Sequence, residues 1–165
     1  FHAPTAATEP SLSRRASYVV VAVEHIAEKP LMGSGLGTYP GIFAKSLFAV
    51  GLSSVPGDIF RYAHNTYLEM ISDIGIPGGL AFIGIMIVSL GSFHRQRGRL
   101  LEAGETGDAS LFKAMFSAML GLLLMLATIS SSFNKELWLF IALAATAHRY
   151  GTRPPGEECA KERLP

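Results

Sequence analysis

IPGGLAFIGIMIVSLGSF, residues Ile76 to Phe93, is almost wholly apolar. No charged side chain occurs between Asp73 and His94. At a rise of about 1.5 Å per residue, such a run crosses the roughly 30 Å hydrocarbon core of a bilayer as a single helix. Leu111 to Ile129 reads as a second span, with Lys113 placed to snorkel at its start. Leu137 to His148 is a third, shorter apolar helix with Trp138 near one end, where membrane proteins keep aromatic anchors. Backbone polar groups in lipid must be satisfied within their own segment, so the expected fold class is all-α, a polytopic helical membrane protein.

Composition agrees with that expectation. The 165 residues carry a formal net charge of +1 and are 49% hydrophobic, with a mean hydropathy of +0.33, on the membrane side of ordinary globular composition. A nucleic-acid partner is excluded on charge, because such a surface needs Lys and Arg clustered on one face. The dense basic run here, His94 to Arg99, abuts the first span instead. A single cysteine, Cys159, leaves no disulfide framework and no multi-thiolate zinc site within the chain. Phe1 to Pro10 has neither a charged start nor a long apolar core, so no signal peptide is read, and further sequence is expected upstream.

The segment ahead of the first span alternates helix and loop signals. Ser11 or Ser13 can cap a helix from about Arg14 to Lys29, which Pro30 stops. Its apolar middle and charged ends place it at the membrane surface. Gly33, Gly35, Gly37, Pro40 and Gly41 read as a loop, and Ile42 to Ile59 is mixed, broken by Gly51, Pro56 and Gly57. A helix from His64 to Ile74 follows, interrupted at Gly75 and Pro77. The His94 to Ser110 loop and the tail (Arg149, Arg153, Lys161, Arg163) are richer in Lys and Arg than the Ser130 to Glu136 turn. Positive charge stays cytoplasmic. The expected domains are therefore residues 1–75 as an outer, periplasmic loop region with amphipathic helices, 76–150 as three transmembrane helices, and 151–165 as a cytoplasmic polar tail.

Several local patterns have plain structural readings. The glycine run lacks the G-K-[ST] ending and the preceding strand of a phosphate loop, which leaves turn geometry as its purpose. His25 and Glu28 share a helix face but have no second such pair to complete a metal site, so they read as a solvated face. Met115, Met119 and Met125 read as packing, Glu69 as solvent-facing, and Asn65 as a helix cap.

The order of motifs carries more. Arg15 precedes PLMGSGLG (Pro30 to Gly37), which is followed by HNTYL (His64 to Leu68) and then by GIPG (Gly75 to Gly78) ahead of a membrane helix. This ordered set, covering roughly Ser13 to Ala147, resembles the C-terminal part of the O-antigen ligase and O-antigen polymerase family of membrane glycosyltransferases. The resemblance implies a helical periplasmic loop over a bundle of membrane helices, a fragment of a GT-C-like bundle in the bacterial inner membrane. It also implies an undecaprenyl-diphosphate-linked glycan donor, a glycan or lipid acceptor, and no metal, cofactor or nucleotide sugar. In the family the arginine at the position of Arg15 is associated with the donor diphosphate, and the histidine at the position of His64 with catalysis or acceptor activation. The chain departs from the family pattern at Val19, where many members carry tryptophan, and at Arg14, where many carry glycine; an earlier family arginine has no counterpart here.

The residue chemistry points the same way. A guanidinium stays charged and can bind two phosphate oxygens at once, which suits a departing diphosphate. An imidazole titrates near neutrality and can take the proton of an attacking hydroxyl. The expected catalytic residues are thus His64 and Arg15, with Arg14, Arg61 and Asn65 as further substrate contacts, in an inverting, metal-independent displacement. Two other classes fit less well. A transporter should carry ionisable residues inside its spans, and here only Lys113 lies at the edge of one. A non-catalytic accessory protein or truncated remnant is the third reading.

Overall fold

The structure, a computed structural model, describes residues 10–52, 60–130 and 135–150. Every element among them is an α-helix: α1 (Pro10–Glu28), α2 (Tyr39–Ala44), α3 (Leu47–Leu52), α4 (Thr66–Glu102), α5 (Thr106–Leu126) and α6 (Lys135–Tyr150). The expected all-α class is therefore observed. Pro56, Gly57, Asn134, Cys159 and the tail, residues 151–165, lie outside the described residues.

Two compact units divide the chain. The first comprises Phe1–Ile83 with Leu124–Ser132. Its α1 buries Ser17, Tyr18, Val21, Ala22 and His25, a spacing that puts all five on one helical face, and leaves Val19, Val20 and Val23 exposed on the other. The core of this unit joins that face to Tyr39 and Phe43 of α2, Ala49 of α3 and Ala63. The Tyr18 and Phe43 rings meet edge-on at 4.9 Å, the arrangement the aromatic quadrupole favours.

α1 begins at Pro10, so Ser11 and Ser13 lie inside its first turn and do not cap it as expected. Proline is well suited to that start, since its missing N–H would have no helical partner there. The glycine loop also ends earlier than expected, because Pro40 and Gly41 belong to α2. Gly51 lies inside α3 instead of breaking the chain.

α4 bends at Gly75, whose φ of 76° and ψ of 172° lie outside the helical range. The break expected at Gly75 is thus present, and Pro77 sits in the first turn after it, where proline is tolerated. The glycine loop closes around this bend. The Asp73 carbonyl accepts the N–H groups of Ser34 (3.1 Å) and Gly35 (2.8 Å), and the Ile76 N–H donates to the Pro30 carbonyl (2.7 Å). Backbones approach so closely that a β-carbon at Gly33 would run into the backbone of Asp73, and one at Gly75 into that of Leu31. Gly33, Gly35 and Gly37 all take positive φ, which bears out turn geometry as the purpose of the run.

The second unit comprises Gly84–Leu123 with Phe133–Pro165. Phe93 is fully buried in it, 6.4 Å from the ring of Phe112 and 6.4 Å from that of Phe140. His94 packs on Phe116 at 5.8 Å. α4 continues to Glu102 and α5 starts at Thr106. The polar stretch from His94 to Ser110, expected as a loop, is therefore mostly helix, and Arg95, Arg97 and Arg99 ride on its last turns. Lys135 and Glu136, assigned to a turn, are helical.

α4 and α5 are long and apolar enough to cross a membrane. Only 17% of the most apolar stretch of α5 is buried, unlike the core helix of a water-soluble domain, and Leu111, Leu120 and Leu124 stand exposed along it. Met119 is fully buried, but Met125 is exposed, so only part of the methionine set packs as expected. α6, with 16 residues, is shorter than the roughly 20 that a full span needs.

Candidate functional site

The polar residues of interest gather in the first unit, along one face of the start of α4. Asn65, Glu69 and Asp73 recur every fourth residue, so they stack one above another. Asn65 caps the helix, its Oδ1 accepting the Leu68 N–H at 3.1 Å.

Asp73, one turn beyond Glu69, is only 2% exposed. Its carboxylate accepts the Gly37 N–H (2.6 Å) and the Tyr39 N–H (3.2 Å), and the Thr38 hydroxyl donates to it at 3.3 Å. A buried charge is costly unless donors surround it, and this loop supplies them. Asp73 thereby seats Tyr39, which is fully buried. The Tyr39 hydroxyl donates to the Tyr18 carbonyl at 2.6 Å. Burial, with the Glu69 carboxylate beside it, pushes the Tyr39 phenol far above the usual range, so it stays a neutral donor.

Tyr18 packs against one of the two expected catalytic residues, His64. Tyr18 lies one helical turn after Arg15 on α1, and its ring sits 5.6 Å from the imidazole of His64, tilted by 36°. Both Arg15 and His64 are exposed. His64 is the one non-glycine residue with positive φ among the described residues, at 51°. That conformation costs an L-residue about 1–2 kcal/mol, and strained backbone of this kind concentrates at functional sites.

The backbone around His64 is held from both sides. Its N–H donates to the Ser130 hydroxyl at 2.9 Å, and the Thr66 hydroxyl donates to the Ile129 carbonyl at 2.6 Å. Glu69, expected to face solvent, is 2% exposed; its carboxylate accepts the Ser130 hydroxyl and the Ala63 N–H. Nearby segments fill its side of the helix, so helical position alone did not determine exposure.

Arg61 is half-buried in the non-helical stretch ahead of His64. Arg14 lies in α1, and its side chain is outside the described residues. His25, expected on a solvated face, is buried, with its Nε2 2.9 Å from the Ser34 hydroxyl, which also accepts from Lys29 Nζ at 3.1 Å. Burial, then the Lys29 charge, pull its pKa below the usual imidazole value, which favours the neutral ring in its contact with Ser34. Among the described residues, no three His, Cys, Asp or Glu side chains come together in a way that could hold a metal ion.

Tyr18, Tyr39, Glu69, Asp73 and Ser130 did not stand out in the sequence. The fourfold spacing of Asn65, Glu69 and Asp73 was the available signal for a shared face. Nothing local signalled that the face is buried.

No curated protein matches the chain. Residues 2–83, a stretch that contains Arg15, the glycine loop, His64 and the bend at Gly75, match the family model described as O-antigen ligase. Over residues 2–83 the chain accordingly belongs to an O-antigen ligase-related family, whose members are membrane-associated and serve ligase- or polymerase-type glycosyl transfer.

Proposed function

We propose that the protein transfers a glycan from an undecaprenyl-diphosphate carrier to a hydroxyl acceptor, either a lipid A core sugar or a growing polysaccharide, at the outer face of the bacterial inner membrane. The observation that carries this reading is the contact between Tyr18 and His64. Tyr18 follows Arg15 by one turn of α1, and His64 opens the HNTYL motif within the stretch matched by the O-antigen ligase family, which supports assigning both residues to one site.

In the proposed reaction His64 accepts the proton of the acceptor hydroxyl as that oxygen attacks the anomeric carbon. The bond to the diphosphate breaks with its electron pair staying on the leaving oxygen. Arg15 meets the charge that grows there with a planar pair of donors, an interaction stronger in the transition state than in the ground state. Attack opposite the leaving group inverts the anomeric centre. Carrier and anion already form a good leaving group, so the scheme needs no metal. Arg61 and Arg14 are proposed as further phosphate contacts. Asn65 contributes through the helix cap that follows His64.

The test is glycan transfer from a lipid-diphosphate donor in membranes that lack any other ligase, comparing the parent chain with Arg15→Ala and His64→Ala at matched protein levels. Loss of roughly 100-fold or more in each variant is expected. A ladder of product sizes would identify a polymerase, and a single addition a ligase. Full transfer by both variants would remove these residues from the mechanism.

A further inference from the structure

Glu69 is a buried carboxylate with no part in the proposed chemistry, and its bonding is one-sided. It accepts the Ser130 hydroxyl and the Ala63 N–H, while Oε2 is buried without a hydrogen-bond partner among the described residues. Both bonds therefore fall on Oε1. The two donors flank His64. Ala63 immediately precedes it in the chain, and Ser130 accepts the His64 N–H at 2.9 Å. A serine hydroxyl has one proton to give and lone pairs to receive, so Ser130 is oriented by donating to Glu69 and accepting from His64.

The arrangement closes a ring of hydrogen bonds around a residue in the left-handed region, at φ of 51°. The clamp joins segments far apart in the chain, since Ser130 lies 66 residues beyond His64 and the Thr66–Ile129 bond anchors the same two strands of backbone. A conformation that the free chain disfavours persists only where its surroundings over-determine it. Here the surroundings include the Glu69 carboxylate, the Ser130 hydroxyl, the Thr66–Ile129 bond and the Tyr18 ring.

We infer that Glu69 and Ser130 are positioning residues that lock the His64 backbone in its left-handed conformation and so aim the imidazole at the acceptor, with Glu69 acting as a hydrogen-bond acceptor and not as a proton carrier. This rests on the glycosyl-transfer reading for its consequence in catalysis, but the clamp itself is a property of the fold.

The one-sided bonding makes the two roles of Glu69 separable. In Glu69→Gln the amide oxygen can take the place of Oε1 and keep both bonds, with the NH2 group in the place of Oε2. Glu69→Ala and Ser130→Ala cannot keep them. With the full chain in membranes and a lipid-diphosphate glycan as donor, Glu69→Ala and Ser130→Ala are expected to lower kcat by roughly 10- to 100-fold, the range in which a misplaced group costs rate. KM for the donor should stay within about twofold, because the donor diphosphate is held elsewhere. Glu69→Gln and Ser130→Thr should restore most of the loss. Hydrogen exchange at the His64 amide gives a readout independent of activity: faster in Glu69→Ala and Ser130→Ala, and parental in Glu69→Gln.

Equal loss of kcat in Glu69→Gln and Glu69→Ala would overturn the inference by making the carboxylate itself necessary. So would full transfer and an unchanged His64 amide in Ser130→Ala, a variant that removes a single partly exposed hydroxyl and keeps the test open should Glu69→Ala fail to fold. If His64→Ala retains transfer, His64 drops out of the proposed mechanism and the clamp has no consequence for catalysis, while no transfer even by the parent chain defeats the glycosyl-transfer reading; in both cases the exchange measurement still decides whether the clamp exists.

Discussion

At the scale of single residues, the first unit is organised by buried polar side chains, of which Tyr39, Thr66 and Asp73 bond to backbone distant in the chain. His25 has a consequence for stability that can be measured. Its pKa in the folded chain lies below the ordinary value of 6.5, chiefly because it is buried and then because of Lys29, with Glu28 and Asp73 pulling weakly the other way. The unfolded chain therefore binds this proton at a higher pH than the folded one does. The stabilisation from a neutral His25 is complete above the unfolded value and is lost as pH falls below it toward the folded pKa. Thermal melting in detergent should show a midpoint that declines as pH drops below about 6.5, and His25→Gln, which keeps a polar group near Ser34, should flatten that part of the profile. An unchanged slope in the variant would mean that another group carries the titration.

At the scale of elements, the bend of α4 and the glycine loop form one unit. The loop supplies donors to the Asp73 carbonyl and carboxylate, and the bend presents the Ile76 N–H to Pro30. Glycines at 33 and 75 are demanded by close approach of two backbones as well as by positive φ. Gly37 also has positive φ, at 75°, but open space around its missing β-carbon. The three sites thus separate conformational strain from collision. Gly37→Ala should cost about 1 kcal/mol, the conformational term alone. Gly33→Ala and Gly75→Ala should cost at least about 2–3 kcal/mol, because backbone must move and buried hydrogen bonds are lost with it. Chemical denaturation in detergent checks the ranking, and equal losses at the three sites would contradict the close approach.

At the scale of the whole molecule, the question is which side of the membrane each segment occupies. From the bias of Lys and Arg we propose that the turn between α4 and α5 lies in the cytoplasm and the glycine loop outside. Leu36 of that loop and Glu105 of that turn are both exposed, which makes them suitable reporters. In a Cys159→Ser background, an impermeant maleimide should label Leu36→Cys in cells with a permeabilised outer membrane, and Glu105→Cys only once the inner membrane is opened. Labelling of both from one side would mean that α4 does not span.

The sequence by itself determined the all-α class, the two long apolar helices, the break at Gly75 and the family, because hydrophobic length, glycine and proline placement, and motif order are properties of contiguous residues. Arg15 and His64 are proposed as site residues from the same motif order. Their neighbourhood was not legible in the sequence. Asp73 and Glu69 looked like ordinary polar positions of a helix, and only the folded chain brings Gly37 and Tyr39 to the first and Ser130 to the second. The ends of the helices were decided there too, since α4 runs past the apolar stretch that the sequence marked, through Arg95, Arg97 and Arg99, to Glu102. Burial depends on what packs from elsewhere in the chain, and partners separated by 34 to 66 residues leave no local trace of the contact they make.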